Sequence, residues 1–260
     1  MFTGAFLNPE LLCHALLASL LFCLASSASY IVNDIHDVEQ DRQHPKKLKS
    51  RPLAAGIVSI PAALTLLVTL YAILAVGWLF APKVILVIVA YLLLNLAYTF
   101  VLKHQPVLDI FTIAIGFVLR VYAGAVALDV PLSPWMFITT LCLALYLAAI
   151  KRRQELSQGG AEARKVLEKY SVALTDRYAE MSATGALIFY SMFVMSKTEN
   201  PQLVMTLPLV LFGLFRYWYV VETLDGGESP TDALLTDWPL LLTTVLWVAV
   251  CGWALWPGQG

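Results

Sequence analysis

The residues best placed to do chemistry lie in Tyr30-Ile-Val-Asn33-Asp34-Ile-His-Asp37-Val-Glu-Gln-Asp41-Arg42. On a helix turning about 100° per residue, with Asp34 as zero, Asp37 falls near 300°, Asp41 near 340° and Asn33 near 260°. Four oxygen-bearing side chains therefore share an arc of about 100°, whereas Glu39, near 140°, points away. Three carboxylates this close repel one another unless a cation lies between them. Oxygen donors of this kind select Mg²⁺ or Ca²⁺, and Mg²⁺ held by one or two carboxylates completes its shell with water and substrate phosphates. The pattern thus predicts a metal-diphosphate site, against the plainer reading of a capped, solvated helix face. His36 lies off the arc and reads as a surface residue. Pro45 disfavours a helical conformation at His44.

Directly after the acidic face come Arg42, His44, Lys46, Lys47, Lys49 and Arg51, then Pro-Leu-Ala-Ala-Gly56. Cations beside a bound diphosphate neutralise its remaining charge and stabilise it as a leaving group. For the three lysines, simple retention at an anionic membrane surface is an equal alternative. A second charged stretch reads Lys151-Arg152-Arg153-Gln-Glu155, followed by Arg164-Lys-Val-Leu-Glu168-Lys-Tyr170-Ser171. Glu155, one turn beyond Lys151 and Arg152, either orients one of them, touches a substrate hydroxyl, or forms an ordinary helix-face ion pair. Arg120 sits inside an apolar run, where a cation is expensive and faces a cavity or a partner. Asp109, Thr112 and Gly116 share its helix face.

The elements that must position these groups are membrane helices. Of 260 residues, 59% are hydrophobic and 13% charged, and mean hydropathy is +0.74. Runs long enough for ~30 Å of hydrocarbon fall at 11–31, 58–79, 84–101, 107–127, 134–150, 178–196, 202–221 and 238–256. If the long charged connections are cytoplasmic, that side receives all but three of the 17 Lys and Arg residues, the exceptions being Lys83, Lys197 and the intramembrane Arg120. The positive-inside rule then sets the orientation. The expected architecture is an all-α membrane protein of about eight spans in a single domain, 1–260, integral to the plasma (inner) membrane, with its site facing the cytoplasm. A net charge of −1 offers nothing to nucleic acid. Cys13, Cys23, Cys142 and Cys251 are scattered through apolar stretches and suggest neither zinc site nor disulfide framework. No secretory signal is visible, since residues 1–41 lack Lys and Arg.

The stretch NDIHDVEQDRQHPKKLKSRPLAAG resembles the first signature, NDxxDxxxD, of the UbiA-type intramembrane prenyltransferase superfamily. Its members hold a Mg²⁺-bound diphosphate at the cytoplasmic mouth of a helical bundle. Members that use prenyl diphosphates carry a second motif, DxxxD, which this chain lacks. The KRRQEL and VLEKYS stretches, with FRYWYVVETLDGGESPTDALLTDWPL at 215–240, instead resemble the decaprenyl-phosphate phosphoribosyltransferase-like branch. There phosphoribosyl diphosphate is the donor and a polyprenyl phosphate the acceptor. The family usually has nine helices, and its first helix, with a basic entry motif, has no counterpart here.

The resemblance implies that Asp34, Asp37 and Asp41 hold Mg²⁺ on the donor diphosphate with Asn33 assisting. Lys151 and Arg152 then act as catalytic phosphate-holding cations, with Arg42 beside them; Lys46, Arg51, Arg120, Glu155 and Tyr170 are the further candidates for substrate contact. Gly226-Gly227-Glu228-Ser229-Pro230, with Asp232 and Asp237, is similar to the family's terminal loop and reads as a lid, a donor contact or a capped turn. The rival within the fold is transfer of a prenyl group to an aromatic or lipid acceptor. The rival of another class is a membrane transporter, against which stands the gathering of charge on one side of the membrane.

Overall fold

The structure is a computed structural model describing residues 8–43, 48, 50–157, 165–223 and 230–256. His44, Lys46, Lys47, Lys49, Arg164 and Gly226 through Ser229 lie outside the described residues. What is described is helical, without a strand. In chain order the α-helices are α1 (Pro9–Arg42), α2 (Ile60–Gly77), α3 (Pro82–Phe100), α4 (Leu108–Ala127), α5 (Pro134–Ser157), α6 (Val172–Met195), α7 (Leu207–Thr223), α8 (Pro230–Thr236) and α9 (Trp238–Ala254). Short 3-10 turns run over Leu102–His104, Lys165–Lys169 and Pro201–Thr206.

Among the described residues six helices are long and apolar enough to cross a membrane, or seven if α8 and α9, bent by 94°, count as one span. The expected span at 178–196 falls almost wholly in α6, which is not among these six and carries Glu180, Ser182, Thr184 and Ser191. Large apolar side chains such as Leu66, Val68 and Val76 on α2 and Val245 and Val248 on α9 face outward, as lipid-facing helices require. The chain is a multi-pass membrane protein.

Two compact units divide the chain. One comprises Glu10–Thr112 with Leu119–Pro131; the other comprises Met1–Pro9, Ile113–Val118 and Leu132–Gly260. In the first, Leu21, Phe22 and Ala25 of α1 are buried with Leu74 of α2, Ile85, Ile88 and Tyr91 of α3 and Ala123 of α4. In the second, Tyr146, Ala149 and Ile150 of α5 are buried with Ala179 of α6, Tyr217 and Val221 of α7 and Leu240 of α9. Helices α5 and α6 pack closely, and a Cβ at Gly185 would stand 3.0 Å from Cys142 Sγ.

Helix α1 decides where the acidic motif goes. Its 34 residues are about 51 Å of helix at 1.5 Å per residue, well beyond the ~30 Å of a hydrocarbon core. The part from Asn33 onward therefore continues the membrane span as a rigid extension, with Asp34, Asp37 and Asp41 on it.

Candidate active site

Two turns grip the end of α1 from different sides. The first is the Arg51–Val58 turn. Ala55 N–H donates to Arg51 O at 2.9 Å, Ile57 N–H donates to Pro52 O at 3.0 Å, and Gly56 closes the turn at φ +72°, a conformation glycine adopts without strain. Leu53 of this turn is buried with Val38 of α1 and Ala63 of α2. That packing fixes Arg51, whose Nη1 donates to Asp34 Oδ1 at 2.5 Å and stands 2.9 Å from Asp41 Oδ2. The Asp41 side chain is only 2% exposed.

The second is the Leu102–His104 turn that follows α3. Lys103, 5% exposed, donates from Nζ to Asp37 Oδ1 at 2.6 Å and to Asp37 Oδ2 at 2.8 Å. His36 Nδ1 is 2.7 Å from Asp37 Oδ1, and its ring meets Phe100 edge-on at 4.9 Å. A few residues on, Val107 adopts φ +69°, ψ −46°, a strained geometry for a β-branched residue.

The carboxylates therefore differ. Burial raises the Asp34 carboxyl above its ordinary value, while Arg51 pulls it back and Asp41 adds to the rise. Burial acts on Asp37 as well, but hydrogen bonds from Lys103 and His36 outweigh it and hold that carboxyl below its ordinary value. Arg51 serves two carboxylates at once, whereas Asp37 has Lys103.

Among the described residues no three His, Cys, Asp or Glu side chains close around one point. The trio expected on one face is divided, because Asp37, about 60° round the helix from Asp34, meets the Lys103 turn. Asp34 and Asp41 do converge, and they converge on a cation, Arg51 Nη1. Two carboxylate oxygens directed at one positive charge are a donor set that fits Mg²⁺ sharing its shell with water and phosphate. Arg42, on the same helix end, pairs at 3.1 Å with Glu39, the carboxylate that points off the face.

In the second unit the C-terminal end of α5 carries the other charged stretch. Arg152, 1% exposed, is ion-paired with Glu155. Arg153 donates from Nε to Asp176 Oδ1 of α6 at 2.6 Å and pairs with Glu222 of α7, tying three helix ends together. Lys151 is exposed. Tyr170 is buried beside Val166 and Leu167. Near the chain's end, Asp237 accepts from Leu240 N–H at 3.0 Å as the N-cap of α9. Arg216 grips it through Nε at 3.0 Å and Nη2 at 2.7 Å. Of the readings open for this loop, a capped turn is the one present at Asp237. An apolar cavity of about 720 Å³ lies along α6 and α7, lined by Leu187, Ile188, Leu211, Leu214, Phe215 and Trp218 among others.

The profile of the UbiA prenyltransferase family matches residues 1–232. This chain belongs to the UbiA prenyltransferase family. It is 36% identical over 252 residues to the decaprenyl-phosphate phosphoribosyltransferase of Mycobacterium tuberculosis, covering 95% of this chain and 83% of that one. To the Corynebacterium glutamicum protein of the same name it is 33% identical over 255 residues, covering 94% and 76%. The solved structure of a UbiA homolog from Archaeoglobus fulgidus bound to GPP and Mg²⁺ superposes with a TM-score of 0.72 at 19% identity, covering 93% of this chain and 87% of that one. The fold is therefore the UbiA helical bundle and the protein a UbiA-family transferase.

Within that family setting, the groups that sequence reasoning passed over are Lys103, His36 and Arg153. Lys103 lies in a short connection whose sequence gives no sign of its partner, which is 66 residues away. Helical periodicity places His36 off the acidic arc, yet adjacency to Asp37 is enough for a ring nitrogen to reach that carboxylate.

Proposed function

We propose that this UbiA-family transferase moves a 5-phosphoribosyl group from phosphoribosyl diphosphate to a polyprenyl phosphate, releasing diphosphate in a Mg²⁺-dependent reaction at the cytoplasmic side of the inner membrane. One observation carries the reading. At the end of α1 two carboxylates share a single arginine, and the third is matched by a buried lysine. Carboxylates and cations interleaved in this way accept a metal-bound polyphosphate with little change in net charge, since Arg51 and Lys103 can turn from aspartate to phosphate as the metal takes their place.

Asp34 and Asp41, with Asp37 and Asn33 beside them, are the groups that would hold Mg²⁺, which supplies charge neutralisation of the diphosphate. An oxygen of the acceptor phosphate forms the new bond to C1 of the ribose while the C1–O bond breaks and diphosphate leaves with the bonding pair. The acceptor is already anionic and needs no strong base, so the chain's part is positioning and stabilising charge. Arg51 and Lys103 stabilise the departing group. Lys151, Arg152, Arg42, Lys46 and Tyr170 keep the phosphate- and substrate-binding roles that the resemblance implies, and Glu155 orients Arg152. The lack of a second aspartate motif suits a donor and acceptor that bring a 5-phosphate and a lipid phosphate besides the diphosphate. The names of the 33–36% identical relatives support the same choice, and the apolar cavity of the second unit has the chemistry a polyprenyl chain needs.

The test is a product assay. Purified protein with Mg²⁺ and polyprenyl phosphate receives phosphoribosyl diphosphate, or in parallel a prenyl diphosphate with an aromatic acceptor, and the lipids are weighed by mass spectrometry. A phosphoribosyl mass gain only with the first donor is expected; product only from the prenyl donor would reverse the assignment.

A further inference from the structure

Arg120 stands 12 residues beyond the first residue of α4, about 18 Å along the helix, yet its side chain is exposed. A guanidinium at that depth faces the bundle interior or a water-filled cavity rather than lipid. Groups of the same unit lie against it. Its Cζ lies 5.5 Å from the Phe22 ring centroid, and Nη2 donates to Ser26 Oγ at 3.2 Å. Tyr91 Oη donates to the same serine oxygen at 3.3 Å, and the Tyr91 ring packs against Phe22 at 4.7 Å. The aromatic pair and the serine set the direction of the arginine fork.

Ser26 lies eight residues before Asp34 on the same unbroken helix, about 12 Å nearer the bilayer centre. Ser26, Ser29, Asn33 and Asp37 repeat at i, i+3, i+7 and i+11, so they form a polar stripe within an arc of about 80° that runs from Arg120 to the acidic motif. Ser29 Oγ on this stripe is buried without a hydrogen-bond partner.

We propose that Arg120 is the anchor of a second anion site, below the acidic motif, that binds a phosphate monoester. The proposal rests on the phosphoribosyl reading, in which the donor carries a phosphate at the opposite end of its pentose from the diphosphate and the acceptor ends in another. Both are dianionic, and a planar guanidinium matches either through paired N–H donors. With one phosphate on Arg120 and the diphosphate at the aspartates, the pentose is fixed at both ends and its C1 cannot drift.

Equilibrium binding to the full chain in lipid nanodiscs tests this, using ribose 5-phosphate, Mg²⁺ with diphosphate, and a short polyprenyl phosphate as separate ligands. Arg120→Gln is expected to weaken ribose 5-phosphate by about tenfold, as loss of a charged hydrogen bond implies, while Mg²⁺-diphosphate binding is kept. Arg120→Lys should recover part of the loss. If the tenfold loss falls on the polyprenyl phosphate instead, the bound phosphate is the acceptor's and the site stands. Unchanged binding of both monoesters overturns it. Parallel loss of all three ligands also overturns it, since it makes Arg120 a purely structural residue. Failure of the phosphoribosyl reading registers separately, as wild-type protein that yields product only from a prenyl diphosphate.

Discussion

The charged end of α1 in the first unit and the charged end of α5 in the second use the same residue types in opposite proportions. At α1 the helix supplies carboxylates, and the cations arrive from turns 17 and 66 residues away in sequence. At α5 the helix supplies the cations, and the carboxylates come from its own next turn and from α6 and α7. Exposure differs from pair to pair rather than from end to end: Arg51 and Asp34 are 30% and 24% exposed, within reach of an entering ligand, whereas Lys103 at the α1 end and Arg152 at the α5 end are both buried. An ion pair that water can reach exchanges partners at modest cost, while a buried one resists separation because either partner left alone is strongly destabilising. The Arg51 pairing is suited to exchange partners with a substrate; Arg153, bound to Asp176 and Glu222, ties helix ends together.

The sharpest way to break this contrast is to attack the exchangeable end. Asp34→Ala is expected to lower turnover about a thousandfold, with Glu39→Ala, 82% exposed, within about twofold of wild type. Equal losses would show that the helical face carries no special role. Metal removal makes the same point without mutation: chelator should abolish turnover, added Mg²⁺ restore it, and the melting temperature move little. Undiminished turnover in chelator would reduce the acidic end to a seat for Arg51.

Lys103→Met should cost about a hundredfold in turnover, measured beside Mg²⁺ affinity. That affinity should hold or rise, because Asp37 is released. A fall in metal affinity would make Lys103 part of the scaffold. At the locked end, Arg153→Met is expected to lower stability by about 3 kcal/mol, read as melting temperature, with turnover per folded molecule nearly kept. A selective loss of turnover at full stability would move Arg153 to the exchangeable class. The smallest effect is expected from Gly56→Ala, where a left-handed backbone conformation costs about 1 kcal/mol. Its readout is a slight rise in the donor KM as Arg51 loses its fixed setting.

Much of this was legible before the structure. Hydropathy located the helices, and the 3.6-residue period put Asp34 and Asp41 together, since both partners lie on one element. What periodicity cannot see is a partner on another element. Lys103 reaches Asp37 only because α3 returns beside α1, and Arg153 finds Asp176 and Glu222 only once α6 and α7 are in place. Charge placement therefore locates the charged segments, but pairing within them depends on tertiary packing. The polarity of α6 is a further case, because an apolar run long enough on paper carries Glu180 and hydroxyl residues along the same helix.

Because Ser26 and the aspartates ride on one uninterrupted rod, α1 acts as a depth gauge. No hinge in it can absorb a change of membrane thickness, so a thicker or thinner host bilayer is met by tilting the whole rod. Tilt carries the three aspartates sideways and up or down with it. In the proposed reaction, acyl-chain length of the surrounding lipid thereby becomes a control on how well the soluble donor and the lipid acceptor would meet, with no allosteric ligand required.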